Sequence, residues 1–170
     1  ERYVREHAGQ DLVIVSPDAG RVKVAERFAQ HLSDKNADVA FINKRRPKGT
    51  ANVAIAKEVI GDVDGRLCIL TDDMIDTGGT IVSAAELLLE RGAKEVWAMA
   101  THGVLSPPAV ERLSNSPISR VVLTNTLPLA PENHFPKVEV LSVAKILADA
   151  LAAVFDETSV SELFDGENQS

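Results

Sequence analysis

Hydrophobic and polar positions along this chain switch between two periods. Leu12-Val13-Ile14-Val15 and Leu67-Cys68-Ile69-Leu70 are short, unbroken aliphatic runs, the pattern of strands covered on both faces. After the first run, Ser16-Pro17-Asp18-Ala19-Gly20 reads as a turn. Val22, Val24, Ala25, Phe28, Ala29 and Leu32 then fall at helical spacing and predict a helix over residues 21–33. The same reading predicts strands at 38–42, 95–101, 120–124 and 138–141. It adds a strand with one partly exposed face at 53–59, and helices at 81–90, 108–113 and 143–155. Strands and helices alternating at this spacing predict parallel βαβ units and a doubly wound, mostly parallel α/β sheet flanked by helices. Ligand loops then belong at the carboxyl ends of the strands.

One domain is expected over residues 11–156. Residues 1–10 read as a linker or the end of a preceding helix, and residues 157–170 as an acidic, polar tail. The chain begins with Glu1, and its first strong strand begins at Leu12, so a piece of a longer polypeptide is expected.

Composition narrows the function classes. A chain of 170 residues is one ordinary domain. It is 45% hydrophobic but only 4% aromatic, so the core is aliphatic. A net charge of −7 argues against a nucleic-acid partner. The single cysteine, Cys68, falls in a predicted buried strand and reads as an inert core thiol. With no signal peptide and no membrane-length apolar run, a cytoplasmic protein without a membrane partner is expected.

The candidate chemistry lies between Arg66 and Thr80, read R-L-C-I-L-T-D-D-M-I-D-T-G-G-T. The expected order is strand, acidic turn, glycine loop, helix. That order sets successive backbone N–H groups at a helix N-terminus, where they cradle a phosphate and the helix dipole favours an anion. Gly78 and Gly79 permit close backbone approach, and Thr77 and Thr80 add hydroxyl donors. Asp72 and Asp73 would repel a phosphate alone, so they must serve another part of the ligand. Sugar hydroxyls or a hydrated Mg2+ both fit. A ligand with a phosphate at one end and a diol at the other satisfies both halves, and ribose 5-phosphate is such a molecule. A bare G-G-T would read as a turn and cap; the complete arrangement is far more specific.

The stretch resembles the phosphoribosyl-pyrophosphate signature shared by type I phosphoribosyltransferases and ribose-phosphate pyrophosphokinases. Further segments are similar to the pyrophosphokinases: S-P-D-x-G at Ser16 to Gly20, K-R-R-P at Lys44 to Pro47, and A-T-H-G at Ala100 to Gly103. T-N-T-L-P at Thr124 to Pro128 and S-V-S-x-L-F at Ser159 to Phe164 match as well. The chain departs from the family at Arg21, where a second glycine is common, and at 48–50, where its cationic loop is longer.

The resemblance implies the C-terminal domain of such an enzyme, with a type I phosphoribosyltransferase-like fold. The reaction implied is transfer of pyrophosphate from Mg-ATP to the anomeric hydroxyl of ribose 5-phosphate. Lys44 and Arg46 would be the catalytic cations on a mobile loop, with Arg46 also a substrate contact. Asp76, Thr77, Gly78, Gly79 and Thr80 would bind the 5-phosphate. Asp72 and Asp73 would hold the ribose hydroxyls or a hydrated Mg2+, and Asp18 would hold the Mg2+ of the nucleotide. His102 reads as structural or interfacial. An N-terminal half and a homo-oligomer, hexameric in the family, are the implied partners. The alternatives are a free-standing phosphoribosyltransferase and a non-catalytic regulatory or assembly subunit that binds sugar phosphate.

Overall fold

A computed structural model describes residues 1–45 and 56–161. Its strands are β1 (Leu12–Ser16), β2 (Asp38–Arg45), β3 (Ala56–Ile60), β4 (Leu67–Ile75), β5 (Glu95–Gly103), β6 (Arg120–Thr124) and β7 (Val138–Leu141). Its helices are α1 (Arg2–His7), α2 (Val22–His31), α3 (Gly79–Glu90), α4 (Ala109–Ser114) and α5 (Ala144–Phe155). The strands form one sheet in the order β3-β2-β1-β4-β5-β6-β7. Every pairing is parallel except β2 with β3, which is antiparallel. The doubly wound, mostly parallel sheet expected from the sequence is therefore present, with one antiparallel edge strand.

Side chains along each strand alternate between two apolar layers, as the pleat requires. Val13 and Val15 of β1, Cys68 and Leu70 of β4, and Val96 and Ala98 of β5 enter one layer, which α3 and α4 close with Ile81, Ala85, Leu88, Ala109 and Leu113. Leu12, Ile14, Ile69, Trp97 and Val122 enter the other, closed by Tyr3 and Val4 of α1 and by Ala25 and Ala29 of α2. Both faces of β1 and β4 are covered, which explains their unbroken aliphatic runs. Fully buried Leu88 anchors α3 to the sheet, and truncating it to Ala would cost about 2–5 kcal/mol.

Residues 2–7, read as linker or helix end, form a helix tied to the sheet. The Tyr3 hydroxyl donates to Glu139 Oε2 at 2.5 Å and accepts from Arg120 Nη1 at 2.7 Å. The Arg120 guanidinium also lies 4.6 Å from the centre of the Trp97 ring, a favourable cation–π arrangement.

Several boundaries near the carboxyl ends of the strands differ from the sequence reading. β4 runs on through Asp72 and Asp73 to Ile75, so these carboxylates lie on a strand and not in a turn. β5 continues beside it to Gly103, and this pairing supplies the ladder bonds that extend both strands. Lys44 and Arg45, expected on a loop, end β2, where Lys44 pairs with Lys57 and Arg45 with Ala56. Backbone pairing with β3 satisfies the main chain there whatever the charge of the side chains. Finally, α3 begins at Gly79, two residues before the expected start.

The far edge is less covered. Ile146, Leu147, Leu151, Val154 and Phe155 of α5 are all more than half exposed. No helix among the described residues is long and apolar enough to cross a membrane.

Candidate functional site

The sheet reverses its winding at β1. From β1 the chain passes through α2 to β2 on one side, whereas β4 returns to pair with β1 on the other. Ligands of open α/β sheets bind in the crevice outside the carboxyl ends of the two strands at such a point. Here the strands are of unequal length. β1 pairs with β4 only as far as Val15 with Leu70, while β4 and β5 continue together to Ile75 and Gly103. The overhang places Asp72 and Asp73 above the end of β1, opposite the turn that carries Asp18.

A cavity of about 370 Å³ opens there, lined by Asp18, Asp72, Met74, Ile75, Asp76, Thr77, Gly78, Gly79, Thr80 and Ile81. The structure thus brings together, from two segments more than fifty residues apart, most of the residues singled out in the sequence. A groove of about 450 Å³ between α2 and β2 is larger, but it lies at the start of β2, at the opposite end of the strands, and its charged lining residues are the carboxylates Glu26 and Asp38.

The lower part of the cavity is the start of α3. Gly78 occupies the N-cap position with φ 73°, and no side chain caps the helix. A positive φ of this size favours glycine. The first intrahelical bond runs from Val82 N–H to the Gly78 carbonyl at 3.0 Å, so the N–H groups before Val82 have no acceptor within the helix. The dipole adds partial positive charge at the same point. Uncapped donors on a glycine turn form an anion cradle.

Arg112 of α4 braces this loop, donating Nη1 to the Thr77 carbonyl at 2.7 Å. It also limits the room beside Gly79, where an added Cβ would lie 3.2 Å from the same nitrogen. Arg112 was not among the residues singled out in the sequence. Helix α4 was expected, but no local pattern tells that it packs beside the start of α3.

The upper part is acidic and ordered by one cation. Arg21 Nη1 lies 3.2 Å from Asp72 Oδ1 and 2.5 Å from Asp73 Oδ1. The Asp73 N–H donates to Asp72 Oδ1 at 2.8 Å, and the Met74 N–H donates to Asp73 Oδ1 at 2.9 Å. The bond from Arg21 holds the Asp73 carboxyl at a pKa of about 2, well below the ordinary carboxylate range. Burial, and then the neighbouring Asp73, push Asp72 the other way, above its ordinary value.

Asp18 is set by its own turn. The buried Ser16 hydroxyl donates to the Asp18 carbonyl at 2.6 Å, and the Gly20 N–H donates to Asp18 Oδ1 at 2.8 Å. Among the described residues no group of three His, Cys, Asp or Glu side chains converges as a metal cage. Asp18, whose Oδ2 accepts no hydrogen bond among the described residues, could hold Mg2+, which usually takes one or two protein carboxylates beside substrate phosphates and water.

His102 stands at the carboxyl end of β5 with Nδ1 2.8 Å from Thr126 Oγ1, while Thr124 and Thr126 hydroxyls donate to the Thr101 carbonyl at 2.6 and 2.9 Å. The A-T-H-G and T-N-T-L-P segments are therefore bonded to each other. Of the cationic pair, Lys44 lies on β2 by its backbone, and Arg46 lies outside the described residues. Ser159 to Ser161 of the S-V-S-x-L-F segment are described, and its last three residues are not.

A family model described as the phosphoribosyl synthetase-associated domain matches residues 39–165. The chain belongs to this family. The match to the phosphoribosyl synthetase-associated domain is accompanied by high similarity to whole enzymes. The chain is 53% identical over 154 residues to the ribose-phosphate pyrophosphokinase of Streptomyces coelicolor, covering 91% of itself and 47% of that protein. It is 52% identical over 162 residues to the ribose-phosphate pyrophosphokinase of Caldanaerobacter subterraneus, covering 95% and 50%. A crystal structure of phosphoribosylpyrophosphate synthetase from Mycobacterium smegmatis superposes with a TM-score of 0.82 at 49% identity, covering 92% of this chain and 49% of that one. The chain thus spans about half the length of the relatives it matches.

Proposed function

We propose that this chain is the ribose 5-phosphate-binding, C-terminal half of a ribose-phosphate pyrophosphokinase. The observation that carries the reading is the meeting, in one cavity, of an uncapped helix N-terminus with the Asp72 carboxyl, whose neighbour Asp73 shares the same Arg21 guanidinium. The cradle from Asp76 to Thr80 takes the 5-phosphate, and Asp72 and Asp73 take the ribose hydroxyls. The similarity to ribose-phosphate pyrophosphokinases over nine-tenths of the chain supports the same assignment.

In this reading the anomeric hydroxyl attacks the β-phosphorus of ATP and AMP leaves. Mg2+ bound through Asp18 would neutralise charge on the nucleotide phosphates. Lys44 and Arg46 would stabilise the charge that develops on the transferred pyrophosphoryl group. No covalent intermediate is required, because positioning and electrostatics suffice. The remaining half of the enzyme would supply most of the nucleotide site.

Calorimetric titration of the chain with ribose 5-phosphate and then with Mg-ATP tests the reading. Saturable binding of the sugar phosphate with little binding of nucleotide is expected. Absence of both would overturn the assignment of the cavity.

A further inference from the structure

Each carboxylate of the acidic pair has one oxygen already occupied. Asp72 Oδ1 accepts from the Asp73 N–H at 2.8 Å and from Arg21 at 3.2 Å. Asp73 Oδ1 accepts from the Met74 N–H at 2.9 Å and meets the same Arg21 nitrogen at 2.5 Å. No hydrogen bond among the described residues falls on either Oδ2. One guanidinium nitrogen therefore bridges two adjacent carboxyl groups that also interact with each other, and of the two Asp72 lines the cavity.

The charge balance points the same way. Two carboxylates alone would draw a divalent cation, which takes oxygen ligands of high negative charge. Arg21 cancels one of the two charges, and its charge is permanent because a guanidinium does not lose its proton in proteins. An acceptor pair with reduced charge and fixed oxygens suits neutral O–H donors better than a metal ion. Asp18, across the cavity, makes no ion pair among the described residues and acts on Arg21 only through space, more weakly than Asp73 and Asp72 do.

Resting on the proposed ribose 5-phosphate reading, we propose that Arg21 is a positioning residue that dedicates Asp72 and Asp73 to the vicinal diol of the sugar rather than to a divalent cation. It acts through the two carboxylates and does not itself touch the reacting atoms.

The test is calorimetry on the full-length protein with inorganic phosphate, ribose 5-phosphate in EDTA, and ribose 5-phosphate with MgCl2. Wild type should bind ribose 5-phosphate equally well with and without Mg2+. Arg21→Ala should bind inorganic phosphate as wild type does, which also reports a folded cradle. In EDTA it should bind ribose 5-phosphate about tenfold more weakly, the loss expected from two partly exposed ion pairs, and MgCl2 should restore much of that loss. Arg21→Lys, which keeps the charge without the planar fork, should fall between the two. Undiminished binding of ribose 5-phosphate by Arg21→Ala in EDTA would overturn the role of Arg21 and leave the site intact. Wild type that binds phosphate and gains nothing from the ribose would overturn the diol assignment and this proposal with it.

Discussion

Arg112 on α4 reaches the Thr77 carbonyl with Nη1 at 2.7 Å, joining the helix that follows β5 to the loop that follows β4. The bond fixes the peptide just before Gly78, whose N–H and that of Gly79 belong to the anion cradle. Arg112→Ala removes a charged donor from an exposed carbonyl, which should cost about 1 kcal/mol. The same loss should appear in ligand affinity as a phosphate Kd about fivefold higher. Phosphate titration and thermal denaturation of the variant read both quantities, and an unchanged Kd would remove Arg112 from the site.

Gly78 has φ 73°, and an added Cβ would meet Leu113 at 3.4 Å, an ordinary contact. The strain of Gly78→Ala is therefore conformational and not steric, and should lower stability by about 1–2 kcal/mol. Relaxation of the loop to a negative φ would rotate the N–H groups away from the cradle. Phosphate binding is expected to fall more than the loss of stability alone implies. A variant that binds phosphate like wild type would show that the cradle does not need this backbone conformation.

Lys44 is the residue before the last of β2, and the proposed chemistry uses it only when charge develops on the transferred group. Lys44→Ala in the full-length enzyme should lower kcat by at least about 100-fold, the scale of one lost electrostatic donor. The affinity for ribose 5-phosphate should change little. Steady-state kinetics with a parallel binding measurement separates the two, and a normal kcat would exclude Lys44 from the mechanism.

Burial pushes the Cys68 thiol from an ordinary value of 9.0 up to about 12, against a smaller opposing effect of Arg66. In the unfolded chain the thiol ionises near its ordinary value, so the unfolded state gains stability above about pH 8.5 that the folded state does not share. The contribution of Cys68 is present in full below that pH and is lost progressively toward pH 12. Urea titrations of wild type and Cys68→Ala across pH 7 to 10 should show the wild type falling more steeply. Parallel curves would contradict the shift.

Tyr3 ties α1 to the sheet through Glu139 and Arg120. Tyr3→Phe keeps the ring in its apolar layer and leaves Glu139 and Arg120 paired at 3.4 Å. The cost should therefore be modest, about 1 kcal/mol, and a fall of several degrees in melting temperature is the expected readout. No fall would mean that α1 is held by its apolar contacts alone.

The sequence was most legible where local pattern and chemistry agree. The aliphatic runs of β1 and β4, the spacing of α2 and the strand–acid–glycine–helix order each follow from neighbours in the chain. For that reason the strands and helices from Leu12 onward, and the placing of Asp18 and of Asp76 to Thr80 just beyond strand ends, were readable. The errors fall where a distant segment supplies the partner. Polar Asp72 and Asp73 end an apolar run and read as a turn, yet β5 pairs with Asp72, Met74 and Ile75 and carries the strand through them. Cationic Lys44 and Arg45 read as loop, yet β3 pairs with them.

What the sequence determined by itself was the mostly parallel α/β architecture and the strand–acid–glycine–helix order that ends in an uncapped helix start, because periodicity and glycine chemistry act over a few residues. Only the tertiary structure decided which charges meet. Arg21 follows β1 while the Asp72–Asp73 pair lies on β4, and Arg112 reaches Thr77 from a separate helix. Electrostatic partners are set by distance in space, and that distance is fixed by the order of strands in the sheet and not by spacing along the chain.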